Sequence, residues 1–227
     1  METISAEVAG WQLTDINVFV SDTVLAIICF VCYYRLQNWL EDKLDRRYWR
    51  LFFLLLGVSA FLGGVGHLFY NYDWHIYIML VSWSLNAVAV FFLERAIIEQ
   101  IRQNGWRKWL IALIYVKLVV AIVLLLIKQR YNIAAIMSAA GMIGILLPIV
   151  LTLVRERTGT AVYYFVAGFL LSAVAGLAFM LKWDISRWIN HADVGHYLIG
   201  VSMVLFYFAV RWLKREARLY PAREVWY

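Results

Sequence analysis

The side chains best suited to chemistry in this sequence are histidines and aspartates that lie inside or beside strongly apolar segments. They are Asp22, His67, His191, Asp193 and His196. Three imidazoles and a carboxylate around an open coordination position would make a plausible catalytic zinc site. Zinc lowers the pKa of coordinated water toward about 7, and Asp22 or Asp193 could orient that water or accept its proton. These residue types therefore predict a zinc site with carboxylate assistance.

The spacing of the last two histidines leaves two ligand sets open. His191 and His196 are five residues apart, so on an ideal helix they point about 140° apart and cannot share a face. An N-cap at Asp193 would put His191 in the preceding loop, free to fold back toward a metal. The alternative set is Asp193 with His196, which are three residues apart on one helical face, together with His67.

Seven apolar stretches must position these residues. The chain is 64% hydrophobic and 16% charged, with a mean hydropathy of +0.72, which is too apolar for a soluble domain. A helix needs about 20 apolar residues to cross a membrane. We therefore predict one all-α domain, a polytopic membrane protein whose seven transmembrane helices span about 16–36, 50–70, 75–97, 106–127, 132–154, 160–182 and 193–213.

The basic residues predict the orientation of these spans. Sixteen Lys and Arg residues follow predicted helices 1, 3, 5 and 7, whereas four lie between helices on the other side. The positive-inside rule then places the C-terminus in the cytoplasm and the N-terminus outside. Asp22 and His67 share a depth of about 9 Å below the outer surface at 1.5 Å per residue. We expect a multi-pass protein of a bacterial inner membrane, with membrane lipids and not nucleic acid as partners.

Lys117 and Asn86 form a second candidate pair. Lys117 lies near the middle of the fourth predicted span, where its ammonium group cannot easily reach water. Asn86, at a comparable depth in the third span, offers a carbonyl oxygen. A structural hydrogen bond between the two helices is one interpretation. The other is that both residues bind the headgroup of a substrate.

The arrangement resembles the CREST superfamily of seven-helix membrane proteins, which includes alkaline ceramidases and the progestin and adiponectin receptors. The resemblance is carried by Gly-Gly-Val-Gly-His67-Leu-Phe, by Ser21-Asp22-Thr23 and by the paired histidines His191 and His196. It implies that His67, His191 and His196 bind zinc. It also implies that the chain cleaves an amide or ester bond of a lipid at the outer leaflet.

The sequence departs from that family at three points. Gly63 stands where the family has a serine four residues before the histidine, and Ile78 stands where the family has an aspartate. Four residues rather than three separate His191 from His196. A divergent branch is therefore implied, in which the metal could persist while hydrolysis is slowed or lost.

Two other functions fit the same residues. The first is a non-enzymatic receptor, transporter or accessory subunit whose polar residues line a ligand cavity. The second is a b-type haem protein in which two histidines from different helices, such as His67 and His196, bind iron. Metal analysis and a visible spectrum distinguish these functions.

Overall fold

A computed structural model describes residues 4–37, 44–100, 105–146 and 159–219. Helices make up most of these ranges: α1 Ile16–Gln37, α2 Leu44–Leu68, α3 His75–Ile98, α4 Gly105–Lys128, α5 Tyr131–Ala140, α6 Thr160–Met180 and α7 His191–Leu219. A π-helical stretch, Gly141–Leu146, continues α5 and is called the π segment below. A two-stranded antiparallel hairpin, β1 Ala6–Val8 and β2 Trp11–Leu13, precedes α1.

Six helices within the described ranges are long and apolar enough to cross a membrane. The qualifying stretches are Ile16–Gln37, Arg46–Leu68, His75–Ile98, Trp106–Lys128, Thr160–Met180 and His191–Leu213. The fifth predicted span, 132–154, is described only as far as Leu146, and its remainder lies outside the described residues. The chain is thus mainly helical and has the make-up of a multi-pass membrane protein. The seventh span and the orientation stay predictions.

The outer surface of α4 has the character of a lipid-facing helix. Its exposed side chains include Leu113, Val116, Val119 and Val123, each about half exposed or more. A continuous apolar surface of this kind marks a contact with other apolar material, such as lipid tails or another protein. In a bilayer this face needs no further protein cover.

Two ends of the helix bundle are distinguished below. The histidine end is where α1, α3 and α7 begin and α2 ends, and the arginine end is where α2 and α4 begin and α3 ends. An aromatic cluster packs the interior near the arginine end, and Trp49, Phe52, Phe165 and Phe206 are its central members. This cluster joins α2, α6 and α7 into one core.

Neighbouring helices approach closely at small residues away from their ends. Ser59 Oγ of α2 donates to Ser82 O of α3 over 2.8 Å, and Ser82 Oγ donates back to Ser59 O over 2.9 Å. In α6, a Cβ on Gly168 would lie 2.6 Å from the Phe206 ring of α7. Small residues at helix contacts let backbones come together in membranes, as expected.

The N-terminal hairpin covers the end of α2. Its turn residues Ala9 and Gly10 have φ angles of 51° and 82°, as a tight two-residue hairpin turn requires. Directly after β2, Thr14 N donates to Leu68 O over 2.9 Å, and Thr14 Oγ1 donates to His67 O over 3.0 Å. These bonds help to satisfy the carbonyl groups at the end of α2, where His67 O also accepts from Tyr70 N over 3.3 Å.

Candidate functional site

Buried polar side chains join α1 to α7 at the histidine end. Asp193 Oδ1 accepts a hydrogen bond from Ser21 Oγ over 2.7 Å, and Asp193 Oδ2 accepts one from Asn17 Nδ2 over 2.6 Å. Ser21 and Asp193 are 0% and 1% exposed. A buried carboxylate is tolerated when donors surround it. Asp193 therefore fixes the start of α7 against α1.

The start of α7 also carries a reciprocal cap. Asn190 Oδ1 accepts from the backbone N–H groups of Ala192 and Asp193, and Asp193 Oδ2 accepts from Asn190 N over 2.9 Å. This exchange has the form of a capping box. The predicted N-cap at Asp193 is thus wrong, since Asn190 occupies that position. His191 is the first residue of α7 rather than a loop residue.

His196 extends this polar chain to the interior. Its Nδ1 lies 3.0 Å from Ser21 Oγ. Ser21 has a single hydroxyl hydrogen, and its shortest contact is with Asp193 Oδ1 at 2.7 Å, compared with 3.0 Å to Val18 O, so we assign the hydrogen to Asp193. The Ser21 oxygen must then accept from the Nδ1–H of His196. A neutral His196 consequently presents the lone pair of Nε2 on its other side.

The Nε2 atom of His196 faces Asp22 on α1. The distance from Nε2 to Asp22 Oδ1 is 3.4 Å, longer than the usual 2.7–3.2 Å of an N–H···O hydrogen bond. A lone pair and a carboxylate oxygen repel each other unless a proton or a cation lies between them. Two atoms that each bind one tetrahedral zinc at about 2.1 Å are themselves about 3.4 Å apart. The observed separation therefore fits two ligands of one metal ion.

α2 reaches Asp22 through two glycines. A Cβ on Gly63 would lie 3.6 Å from Asp22 Oδ2, and one on Gly64 would lie 3.0 Å from the Cβ of Asp22. His67 follows one turn later on the same face, and helical side chains lean toward the N-terminus of their helix. The structure places the His67 ring beside Asp15, which directly precedes α1. Its Nδ1 lies 3.8 Å from Asp15 Oδ2.

His191 is held elsewhere. Its Nδ1 lies 2.9 Å from Asp184 Oδ1, and its backbone N–H donates to the same oxygen over 2.8 Å. These hydrogen bonds from His191 hold the pKa of the Asp184 carboxyl below its usual range. The structure therefore places His191 in a local pair at the loop between α6 and α7, apart from the contact between His196 and Asp22.

The structure brings together neither of the two predicted ligand sets, which were His67 and His196 with either His191 or Asp193. Asp193 directs its oxygens at Ser21, Asn17 and Asn190, as described above. Across the described ranges, no three His, Cys, Asp or Glu side chains form a group arranged to hold a metal ion. What the structure brings together is the pair of Asp22 and His196, while His67 lies one turn beyond the α2 glycines that pack against Asp22.

Lys117 forms an ion pair with a residue that the sequence analysis missed. Lys117 Nζ donates to Glu94 Oε1 of α3 over 2.5 Å and to Met137 O of α5 over 3.4 Å. Glu94 has a fully buried side chain. The predicted partner Asn86 is half-buried, and Glu94 takes its place. An acidic residue inside the predicted span 75–97 was the signal that could have identified it.

Comparison with known proteins adds a family but no function. Residues 17–215 match DUF6962, a family of unknown function. The chain belongs to the DUF6962 family. Neither a curated protein nor a solved structure matches it. In this DUF6962 protein the matched range contains the site residues from α1, α2 and α7 and also the Glu94–Lys117 pair, whereas the N-terminal hairpin precedes it.

Proposed function

We propose that this DUF6962 protein is a zinc-dependent intramembrane hydrolase of a lipid amide or ester, with Asp22, His67 and His196 holding the metal. The observation that carries the proposal is the 3.4 Å separation of His196 Nε2 from Asp22 Oδ1. Two imidazoles and one carboxylate form a donor set that hydrolytic zinc enzymes use, with a fourth position open. Asp22 thereby replaces His191 in the ligand set that the CREST resemblance implies.

The remaining polar residues would position these ligands. A bound zinc ion would act as a Lewis acid on a carbonyl oxygen and make hydroxide available near neutral pH. Ser21 and Asp193 hold the Nδ1–H of His196, which keeps Nε2 directed at Asp22. Asp15 Oδ2 lies 3.8 Å from Nδ1 of His67, which is too far for a direct hydrogen bond but within reach of a small movement of either side chain. Carboxylates behind ligating histidines commonly orient the rings and raise their basicity.

The depth of the site supports a lipid substrate. Asp22 lies six residues into α1 and His196 lies five residues into α7, or about 8–9 Å along each helix. A carbonyl group just below the headgroups of a lipid would meet the site at this level. With the N-terminus outside, as the basic residues predict, the site would open to the outer leaflet of a bacterial inner membrane.

Metal analysis of purified variants tests the ligand set. We expect about one equivalent of zinc in the wild type and in His191→Ala, and less than about a tenth of an equivalent in Asp22→Asn and His196→Ala. His191→Ala is the matched control, because it removes an imidazole at the same end of the bundle. Zinc that is lost in His191→Ala but kept in Asp22→Asn would favour the three-histidine set. A wild type without metal after growth in zinc would refute the proposal.

Hydrolysis is tested separately with fluorescent lipid amides and esters in detergent. Zinc-dependent cleavage should occur in the wild type and in His191→Ala and should be absent in His196→Ala. Metal binding without cleavage of either lipid class would instead support a metal-containing receptor or accessory subunit. A haem Soret band in the purified protein would support the haem alternative.

A further inference from the structure

A second polar centre lies at the arginine end, where α3 meets the first turns of α2 and α4. Arg95 Nη2 donates to Glu99 Oε1 over 2.8 Å and to the Tyr48 hydroxyl over 3.1 Å. Arg107 donates to the other Glu99 oxygen. Two guanidinium groups thus share one carboxylate. The residues Tyr48, Arg95, Glu99 and Arg107 are called the Arg95 centre below.

Arg95 retains hydrogen-bonding capacity inside this centre. It is only 8% exposed, yet its Nε and Nη1 atoms have no hydrogen-bond partner in the described part of the chain. The Tyr48 ring covers one face of the guanidinium at 5.0 Å. Because unpaired buried groups of a charged side chain are costly, native proteins seldom leave them unsatisfied. A ligand that accepts hydrogen bonds would complete the centre.

The position of the centre in a membrane indicates the chemistry of that ligand. α3 has 24 residues, so it is about 36 Å long and extends past a hydrocarbon core of about 30 Å. Arg95 lies three residues before the end of α3, and Arg107 lies two residues after the start of α4. Both guanidinium groups therefore lie near the level of lipid phosphates. Basic pockets between helix ends are suited to phosphate-bearing headgroups.

We propose that the Arg95 centre binds a phosphate group, supplied by the headgroup of an anionic phospholipid. Arginine suits this role because its planar fork of donors matches phosphate oxygens. Free inorganic phosphate has the same recognition chemistry, and the experiment separates the two sources. This proposal is independent of the proposed zinc site, whose residues lie at the opposite end of the bundle.

Thermal unfolding in an uncharged detergent tests the proposal. Cys29 and Cys32 are free and buried, so a thiol-reactive fluorophore reports when the bundle opens. Saturating phosphatidylglycerol should raise the unfolding midpoint of the wild type by about 5–10 °C. Zwitterionic phosphatidylcholine and inorganic phosphate should each give a much smaller rise. The quantity compared is the difference in midpoint with and without the additive, which remains measurable in a less stable variant.

Two variants locate the effect. Arg95→Gln should lose most of the rise that phosphatidylglycerol produces, whereas Arg187→Gln, in the exposed loop at the histidine end, should keep it. If phosphatidylglycerol raised the unfolding midpoint equally in the wild type and in Arg95→Gln, the Arg95 centre would not be the binding site. A rise with inorganic phosphate as large as that with the lipid would overturn the lipid source.

If Arg95→Gln cannot be purified, native mass spectrometry of the wild type tests whether the protein binds phosphatidylglycerol. Retained phosphatidylglycerol that an excess of inorganic phosphate does not displace supports the proposal. No retention above that of phosphatidylcholine refutes it.

Discussion

Gly141, the first residue of the π segment, packs against the buried Glu94–Lys117 ion pair. A Cβ at this position would overlap Glu94 Oε1 and would lie 2.6 Å from Lys117 Nζ. The backbone of Gly141 has φ −65° and ψ −46°, which any residue adopts in a helix. On an open helix surface, alanine would be more stable than glycine by about 1 kcal/mol. Whether Gly141→Ala raises or lowers the free energy of unfolding therefore depends on the ion pair.

The expected change in the free energy of unfolding is the balance between the disturbed ion pair and the helical preference of alanine. Depriving one member of a buried ion pair of its partner costs about 3–5 kcal/mol. The added methyl group meets the far ends of two flexible side chains, which can shift without losing each other completely, so we expect only part of that cost, reduced further by the helical preference of alanine. The net loss of stability should be about 1–2 kcal/mol. At about 2–4 °C per kcal/mol for a chain of this size, the unfolding midpoint should fall by about 2–8 °C.

The thiol-reactive fluorophore described above measures this change. Gly144→Ala is the matched control, because it makes the same substitution in the π segment where a Cβ would meet no atom of the described residues within 4 Å. In a background that carries both Glu94→Ala and Lys117→Ala, Gly141→Ala should become neutral or stabilising. Equal midpoints for the two glycine variants would refute the reasoning. So would a destabilisation that remains undiminished without the ion pair.

Three further changes test the histidine end. Ser21→Ala removes the acceptor for the Nδ1–H of His196, so zinc affinity measured against a chelator should fall about 10–100-fold; an unchanged affinity would contradict the assigned tautomer. Asn190→Ala should cost about 0.5–2 kcal/mol of stability through loss of the cap, and an unshifted unfolding midpoint would argue against it. Hydrogen bonds from His191 keep the pKa of Asp184 below its usual value of 3.8, so their stabilisation is present above that pH and is lost as the pH falls through the lowered pKa. The midpoint of the wild type should therefore drop more than that of Asp184→Asn between about pH 5 and pH 3, and parallel acid curves would contradict this.

Helix positions were predictable because membrane helices depend on little beyond local sequence. Backbone groups in lipid must pair within their own segment, so an apolar run of sufficient length becomes a helix. The start of α1 at Ile16 and that of α3 at His75 agree with the predicted spans. The predicted common depth of Asp22 and His67 is wrong for the backbone, because α2 ends at Leu68, one residue after His67, and it is Gly63 and Gly64 that lie beside Asp22. Which side chains meet across helices depends on packing, which the sequence does not display.

The position of His191 was missed because a nearer partner competes for it. Spacing suggested a loop histidine that folds back, but Asp184 lies just seven residues earlier and accepts both its ring and backbone donors. The cap at Asn190 was available in the sequence as Asn-x-x-Asp. The Ser/Thr form of the capping box is the familiar pattern, and the Asn190–Asp193 pair serves the same function.

Lys117 was paired with the wrong residue because depth was assigned at the Cα atom. α4 begins at the arginine end, and a helical side chain leans toward the start of its own helix. The four methylene groups of Lys117 therefore carry its ammonium group about one turn toward the arginine end. Glu94, near the end of α3, lies on that side of Asn86. Correcting depth for side-chain direction would have favoured Glu94.

The geometry at the start of α7 links helix capping to the proposed metal chemistry. Asn190 Oδ1 fixes the backbone N–H of Asp193 through the cap, Asp193 Oδ1 accepts the hydroxyl hydrogen of Ser21, and Ser21 thereby fixes the tautomer of His196. A substitution of Asn190 should therefore alter the orientation of the His196 ring. Asn190→Ala should weaken the proposed zinc binding as well as stability, although Asn190 is not one of the proposed ligands. If zinc affinity is unaffected while stability falls, the cap and the ligand orientation are independent, and Asp193 alone holds the Ser21 hydroxyl.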